Sequence, residues 1–348
     1  MLFQLNLVVQ PIMIKLMLPL VTIITPTKNR LHLLSETIAS VQAQTFSNWE
    51  HLIIDDGSDD GSQEMVEQIS AIDPRVRLIR RQGDLAGANV CRNLGIKESR
   101  SEFCIFLDSD DLLVHSCLQR RVEVLTRNVD VDFVVFLAGF FVEKPGDIRQ
   151  QHSTEMFGDD ILRFLTFDFP WQTTAPIWRK AALTKLGGFD EALLSWQDVD
   201  LHIRAICAGI LYFKVPELDH YIRWQNDPNK VSVQQRRSPA HLLASADLLI
   251  KFEKVVRSGP GMDWRRQRSL AGLYFLVAEL WLNAGSLNSA LDFWGRGRSR
   301  GLSHRRLYAS GCLLLLLLAS PFPRSLSARI IHKWKGFARF RINPSLLG

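Results

Sequence analysis

Three features of this 348-residue chain point to an α/β protein built on a parallel sheet with a helical appendage behind it. Short β-branched runs alternate with helical apolar patterns through the first third. Polar clusters stand at the C-terminal ends of three of those runs, at Thr25, Asp55 and Asp108. From Ser238 onward the periodicity is helical throughout.

Leu20 to Thr25 is the first strand, ended by Pro26. The polar loop Thr27-Lys28-Asn29-Arg30 follows, and Leu31, Leu34, Ile38 and Val41 then recur at helical spacing. Glu50 to Ile54 is the second strand and runs into Asp55-Asp56-Gly57-Ser58-Asp59-Asp60-Gly61. A helix is expected from Gln63 to Ile72 with Ser62 as its N-cap. Val76 to Ile79 is a short third strand and Ala88 to Lys97 a helix. Strands and helices at this spacing make right-handed βαβ units, which bring the strand ends to one sheet edge.

Phe103 to Asp111 reads Phe-Cys-Ile-Phe-Leu-Asp-Ser-Asp-Asp, a buried strand that ends in three carboxylates. In a parallel sheet, ligands bind at the carboxyl ends of the strands. Asp108 and Asp110, two apart, share a face in extended chain. Two hard oxygen ligands suit Mg²⁺ or Mn²⁺, with water and phosphate completing the shell. The triplet also fits an ordinary acidic turn, in which Asp111 caps the next helix.

Further on, Phe133 to Phe141 is an apolar strand, Lys144 to Thr154 a polar loop, and Val199 to Ala208 a helix. Helices are expected over His241 to Arg257, Trp264 to Ala284 and Leu287 to Arg296. Ser258-Gly259-Pro260-Gly261 separates the first two.

Five segments in register resemble the family 2 glycosyltransferases of the GT-A fold. They are Thr25 to Arg30, Ile54 to Gly61, Gly87 to Gly95, Leu107 to Asp111, and Gly187 to Glu191 followed by Trp196 to Leu201. The resemblance covers about residues 18 to 235. It implies a Rossmann-like mixed sheet flanked by helices, in a domain over 18–237. Within it, 18–115 would bind nucleotide sugar and 116–237 the acceptor. Residues 1–17 would be a loosely attached extension, with Met17 an alternative start, and 238–348 a helical appendage.

The resemblance also implies roles. Asp56 would accept a hydrogen bond from the base of a nucleotide-diphosphate sugar, expected to be UDP-linked, whose uracil offers an imide N–H. Thr25, Pro26 and Thr27 would line base and ribose, with Arg30 and Gly87 also on the donor. Arg92 would reach the diphosphate or base. Asp110 would be the main metal ligand, and Asp108 would contact ribose or metal. Asp198 would be the general base for the acceptor hydroxyl in an inverting displacement. One departure stands out: Gln225 replaces the histidine expected after Tyr221-Ile222-Arg223-Trp224. Each residue also has a plainer reading: Asp55-Asp56-Gly57 as a turn, Arg92 as a solvated helix arginine, Asp198 as an N-cap.

The net charge of +6 belongs to the C-terminal end. No acid follows Asp292, whereas eleven Lys or Arg lie between Phe293 and Gly348. Within that stretch Leu313 to Leu318 are six consecutive leucines, fewer than the roughly 20 apolar residues a spanning helix needs. A basic tail around an apolar stretch suits peripheral contact with an anionic membrane. No nucleic-acid motif accompanies it. The five cysteines lack metal-finger spacing and read as reduced thiols of a cytoplasmic protein, working at the inner face of the membrane. The expected function is transfer of a sugar to a glycan or lipid-linked acceptor in polysaccharide or glycolipid assembly. The alternatives are a nucleotidyltransferase, for which the loop after the first strand lacks glycine, and a non-catalytic sugar-nucleotide-binding relative.

Overall fold

The computed structural model describes residues 18–153, 155–166, 168–224, 239–319, 329 and 333–334. The expected extension at 1–17, Gln225 and nearly all of the basic tail beyond 319 lie outside them. The chain divides into two compact units.

The first unit takes residues up to 156 with 171–191 and 210–225. It contains an eight-stranded sheet: β1 (Val21–Thr27), β2 (Trp49–Asp55), β3 (Val76–Arg80), β4 (Phe103–Phe106), β5 (Leu112–Leu113), β6 (Phe133–Phe141), β7 (Pro176–Arg179) and β8 (Tyr212–Arg223). The spatial order is β3-β2-β1-β4-β7-β6-β8-β5. β1 pairs in parallel with β2 and β4, and β2 with β3. The sheet turns mixed at β7, which is antiparallel to both β4 and β6. The expected parallel half is therefore present, within a mixed sheet such as the resemblance implies. Every residue of β1, β2 and β4 is buried, as strands covered on both faces must be. β8 slips register against β6 between Val215 and Leu218, where Pro216 offers no N–H to the ladder.

Helices α1 (Leu31–Gln42), α2 (Ser62–Ile72), α3 (Ala88–Glu98) and α4 (Cys117–Arg127) follow β1, β2, β3 and β5, and α6 (Lys180–Leu186) follows β7. Leu34, Ile38 and Val41 of α1 join the core with Ile23, Ile53 and Ile105 of the sheet. The expected cap of α2 is different: Gly61, with φ 91°, is the N-cap and Ser62 opens the helix. The Ser62 hydroxyl is engaged instead by Asp60 and by the Arg30 N–H.

The second unit takes 157–170, 192–209 and 226–348. The first two of these segments fall within the 116–237 stretch expected to bind the acceptor. Its helices are α5 (Asp160–Leu165), α7 (Gln197–Cys207), α8 (Pro239–Ser258), α9 (Trp264–Asn283), α10 (Leu287–Ser299) and α11 (Arg305–Ala319). α9 is its axis, buried continuously from Ser269 to Glu279. Asp263 caps α9 through the Arg266 N–H at 2.8 Å, and Ser286 caps α10. Among the described residues no helix is long and apolar enough to cross a membrane.

Candidate active site

The loops after β1 and β2 fold on each other. Asn29, at φ 53°, donates its N–H to the Ser58 hydroxyl and accepts the Asp59 N–H, both at 2.9 Å. The Leu31 N–H reaches the Asp60 carboxylate at 2.9 Å. The adjacent acids Asp55 and Asp56 divide their labour. Asp55 makes the turn, its Oδ1 taking the N–H groups of Gly57 and Ser58 at 3.0 Å and the Gln63 amide at 2.7 Å. Asp56 reaches across to the loop after β3, where it pairs with Arg81 and accepts the Gly87 N–H at 3.0 Å. Gly87 holds φ 116°, a conformation open to glycine, and α3 starts directly after it. Arg81 escaped the sequence reading, although a basic residue just past a strand end was a visible signal.

The three Thr25-Pro26-Thr27 positions are all buried. The Thr25 hydroxyl lies 2.9 Å from His51 Nε2, inside the sheet layer. Burial pushes the His51 pKa down to about 3, so this ring is neutral. Thr27 Oγ1 and Asp55 Oδ2 are buried without a hydrogen-bond partner among the described residues. Arg30 is half-buried immediately before α1.

On α3, Arg92 is buried, with a guanidinium nitrogen 2.7 Å from the Asp108 carboxylate and 5.3 Å above the Phe189 ring. The solvated-arginine reading of Arg92 is thereby replaced. Asn93 accepts the Phe189 N–H at 2.8 Å and donates back to its carbonyl at 2.9 Å, so the Gly187-to-Glu191 segment braces α3. Cys91 beside them is inert: burial, then the Asp56 charge, pushes its thiol up to about 12.

Asp108, Ser109 and Asp110 follow β4 and are half-exposed. Asp111 differs from them and does not cap α4, whose N-cap is Ser116. Asp111 is buried, accepting the Arg223 N–H at 3.1 Å and the Thr174 hydroxyl at 3.4 Å. The Arg223 side chain donates to the Asp110 carbonyl at 3.0 Å and to Glu36. Beneath it, the buried Arg121 spans Asp219 and the Thr174 carbonyl. Burial raises the Asp219 carboxyl, but the Arg121 charge outweighs it and holds the group below its ordinary value. His220 is spent here, on Asp219 and Gln172, both at 2.8 Å.

Asp108 and Asp110 offer two half-exposed carboxylates at one strand end. Among the described residues no three His, Cys, Asp or Glu gather as a metal cage. That donor set fits a hard cation which takes one or two carboxylates and leaves the rest of its shell to water and phosphate.

Asp198 stands in the second unit, half-buried in the first turn of α7, with its Oδ1 2.9 Å from the Val199 N–H. Trp196 before it holds φ 55° as the helix N-cap. Asp200 is another matter: it is fully buried and ion-paired with Arg204 at 2.8 Å and Lys251 at 2.6 Å.

A family model described as "Glycosyl transferase family 2" matches residues 22–184. This segment is a family 2 glycosyltransferase domain. The transferase domain so matched contains Asp56, Arg92, Asp108 and Asp110, and ends before Asp198. Over 107 residues the chain is 34% identical to the putative teichuronic acid biosynthesis glycosyltransferase TuaG of Bacillus subtilis, covering 31% of this chain and 42% of TuaG. Over 109 residues it is 37% identical to the Escherichia coli UDP-Glc:alpha-D-GlcNAc-diphosphoundecaprenol beta-1,3-glucosyltransferase WfgD, covering 31% of this chain and 42% of WfgD. The match thus spans less than half the length of either relative. Among solved structures, S. aureus TarS 1–349 in complex with UDP-GlcNAc superposes with a TM-score of 0.63 at 15% identity, covering 85% of this chain and 90% of that one. The transferase domain and TarS share a fold.

Proposed function

We propose that this chain transfers a hexose from a UDP-linked nucleotide sugar to a hydroxyl of a lipid-linked glycan, with inversion. One observation carries the reading: Asp56, the Arg92–Asp108 pair and Asp110 all stand past the C-terminal ends of adjacent parallel strands, or on the helix packed against them. The family match and the relatives' named activities, WfgD's lipid-diphosphate acceptor among them, support it.

In this reading Asp56 accepts the imide N–H of the base, held in place by Arg81 and Gly87. Thr27 Oγ1 and Asp55 Oδ2, buried and unpartnered within the protein, gain donors or acceptors from the nucleotide, which removes a desolvation cost. Arg92 offers a guanidinium to the diphosphate once Asp108 turns toward the ligand. Asp110, with Asp108, would hold Mn²⁺ or Mg²⁺, which offsets the charge on the departing diphosphate. Asp198 takes the proton of the acceptor hydroxyl, and the free N–H groups of the α7 first turn stabilise its charge. The basic C-terminal segment holds the protein at the anionic inner face of the membrane, where lipid-linked acceptors are found.

A thermal-shift screen of nucleotide sugars with and without Mn²⁺ tests the donor reading. A UDP-sugar should raise the melting temperature, and more so with Mn²⁺. A flat response across all nucleotide sugars in both conditions would sink it.

A further inference from the structure

The six-leucine run does not act as one block. Leu314 and Leu315 are buried, on the same side of α11 as Leu307 and Gly311. Gly311 lets α11 settle on Trp294, since a Cβ there would come within 2.9 Å of the indole Cζ2. Leu313 and Leu316 point the other way, exposed at 59% and 49%. At about 100° per residue, Ala309, Leu313 and Leu316 fall within an arc of roughly 60°, opposite the buried set. Exposed Arg305 and Arg306 flank that arc at the N-terminal end of the helix.

We propose that this face of α11 lies in the interface of an anionic membrane. Leu313 and Leu316 enter the boundary of the acyl chains, and Arg305 and Arg306 sit among the phosphate headgroups. The inference rests on the membrane attachment proposed above and gives it a specific surface. Charge complementarity selects the occupant: no acidic side chain lies between Asp292 and Gly348, so none in that stretch repels an anionic leaflet. Helix length selects the mode. The described residues of α11, fifteen in number, span about 22 Å, less than a hydrocarbon core of about 30 Å and suited to lying in its surface. The buried face already has its partner in α10, which leaves the exposed leucines for the lipid.

Flotation with phosphatidylcholine vesicles, with and without phosphatidylglycerol, tests this on the full chain. Wild type should float with the anionic vesicles. L313E/L316E should bind them at least roughly tenfold more weakly at an unchanged melting temperature, and L313F/L316F should bind as well as wild type. Flotation of L313E/L316E equal to wild type would mean that the basic segment suffices, overturning the inference and leaving attachment intact. A melting temperature lowered by several degrees would mean that the chain's own C-terminal residues cover the face, and a wild-type dimer dissociated by L313E/L316E would mean that a second copy does. Either result overturns the inference. Wild type that fails to float removes attachment itself, and the inference with it.

Discussion

Arg223 donates through its side-chain Nε to the main-chain carbonyl of Asp110 at 3.0 Å. Its own backbone N–H holds Asp111 at 3.1 Å, so one residue of β8 fixes both ends of the acidic pair that follows β4. The guanidinium is buried and also reaches Glu36 on α1. Lysine keeps the charge but not the planar fork that serves two acceptors. Arg223→Lys should therefore weaken Mn²⁺-dependent UDP binding about tenfold, roughly the worth of one charge-assisted hydrogen bond, while UDP affinity without metal stays the same. Calorimetry in both conditions reads the split. Identical metal enhancement in Arg223→Lys and wild type would remove the clamp.

Asp198 and Asp200 make opposite predictions although they are neighbours on one helix. Asp200 is fully buried between Arg204 and Lys251, so Asp200→Asn leaves two cations poorly compensated and should cost about 3–5 kcal/mol of stability. Asp198 is half-buried and accepts the N–H of the next residue through Oδ1, an acceptor that asparagine keeps, so Asp198→Asn should fold normally. If Asp198 is the general base, turnover should fall at least roughly a hundredfold with donor affinity kept. Thermal unfolding and product formation, measured on both variants, separate the roles. A stable, inactive Asp200→Asn would reverse them.

Much of the site was legible because strand ends announce themselves. Apolar runs that stop at Thr25, Asp55 and Asp108 mark the sheet edge, and parallel pairing brings those ends together. Pattern and composition do not separate Asp55 from Asp56, which differ in the direction each side chain takes out of the strand; only the family resemblance singles out Asp56. Asp55 turned inward to build its own turn, and Asp56 turned toward Arg81. Asp111 was illegible for a different reason. Its partner Arg223 is 112 residues away, and no local pattern reports a contact at that separation. The Ser62 cap failed because Gly61 supplies the left-handed turn that a serine cap does not need. Segments 157–170 and 192–209 interrupt the strands of the sheet in sequence, and in space they cluster with the C-terminal helices, a grouping that no local pattern reports.

Gly95 inverts the usual helix rule. Glycine inside a helix is normally worse than alanine by about 0.5–1 kcal/mol. Here a Cβ would run into the Ile24 side chain on β1, with Cγ1 at 3.1 Å. Ile24 is fully buried and has nowhere to move. Gly95→Ala should therefore destabilise by about 1–3 kcal/mol, the cost of overpacking a core. A urea midpoint at or above that of wild type would show that α3 can lift away without loss.

Three buried histidines, His51, His202 and His220, titrate below their ordinary value and give the protein an acid limit, which the first two set most strongly. Burial lowers both His51 in the first unit and His202 in the second to about 3 from 6.5. His202 also feels the Arg204 charge. A folded-state value below the unfolded one means that the unfolded chain binds the extra proton first as pH drops. Stability from these groups is thus complete above pH 6.5 and is lost progressively as pH falls from 6.5 toward 3. Each contributes a slope of roughly 1.4 kcal/mol per pH unit, hence about 2 kcal/mol each between pH 6.5 and pH 5. His51→Gln keeps a side-chain partner for Thr25, which lies 2.9 Å from the ring, and removes the titration. Urea unfolding at pH 7 and pH 5 should show wild type losing at least about 4 kcal/mol, and His51→Gln losing about 2 kcal/mol less than wild type. An unchanged loss in His51→Gln would mean that His51 stays accessible to protons in the folded state, contrary to its complete burial.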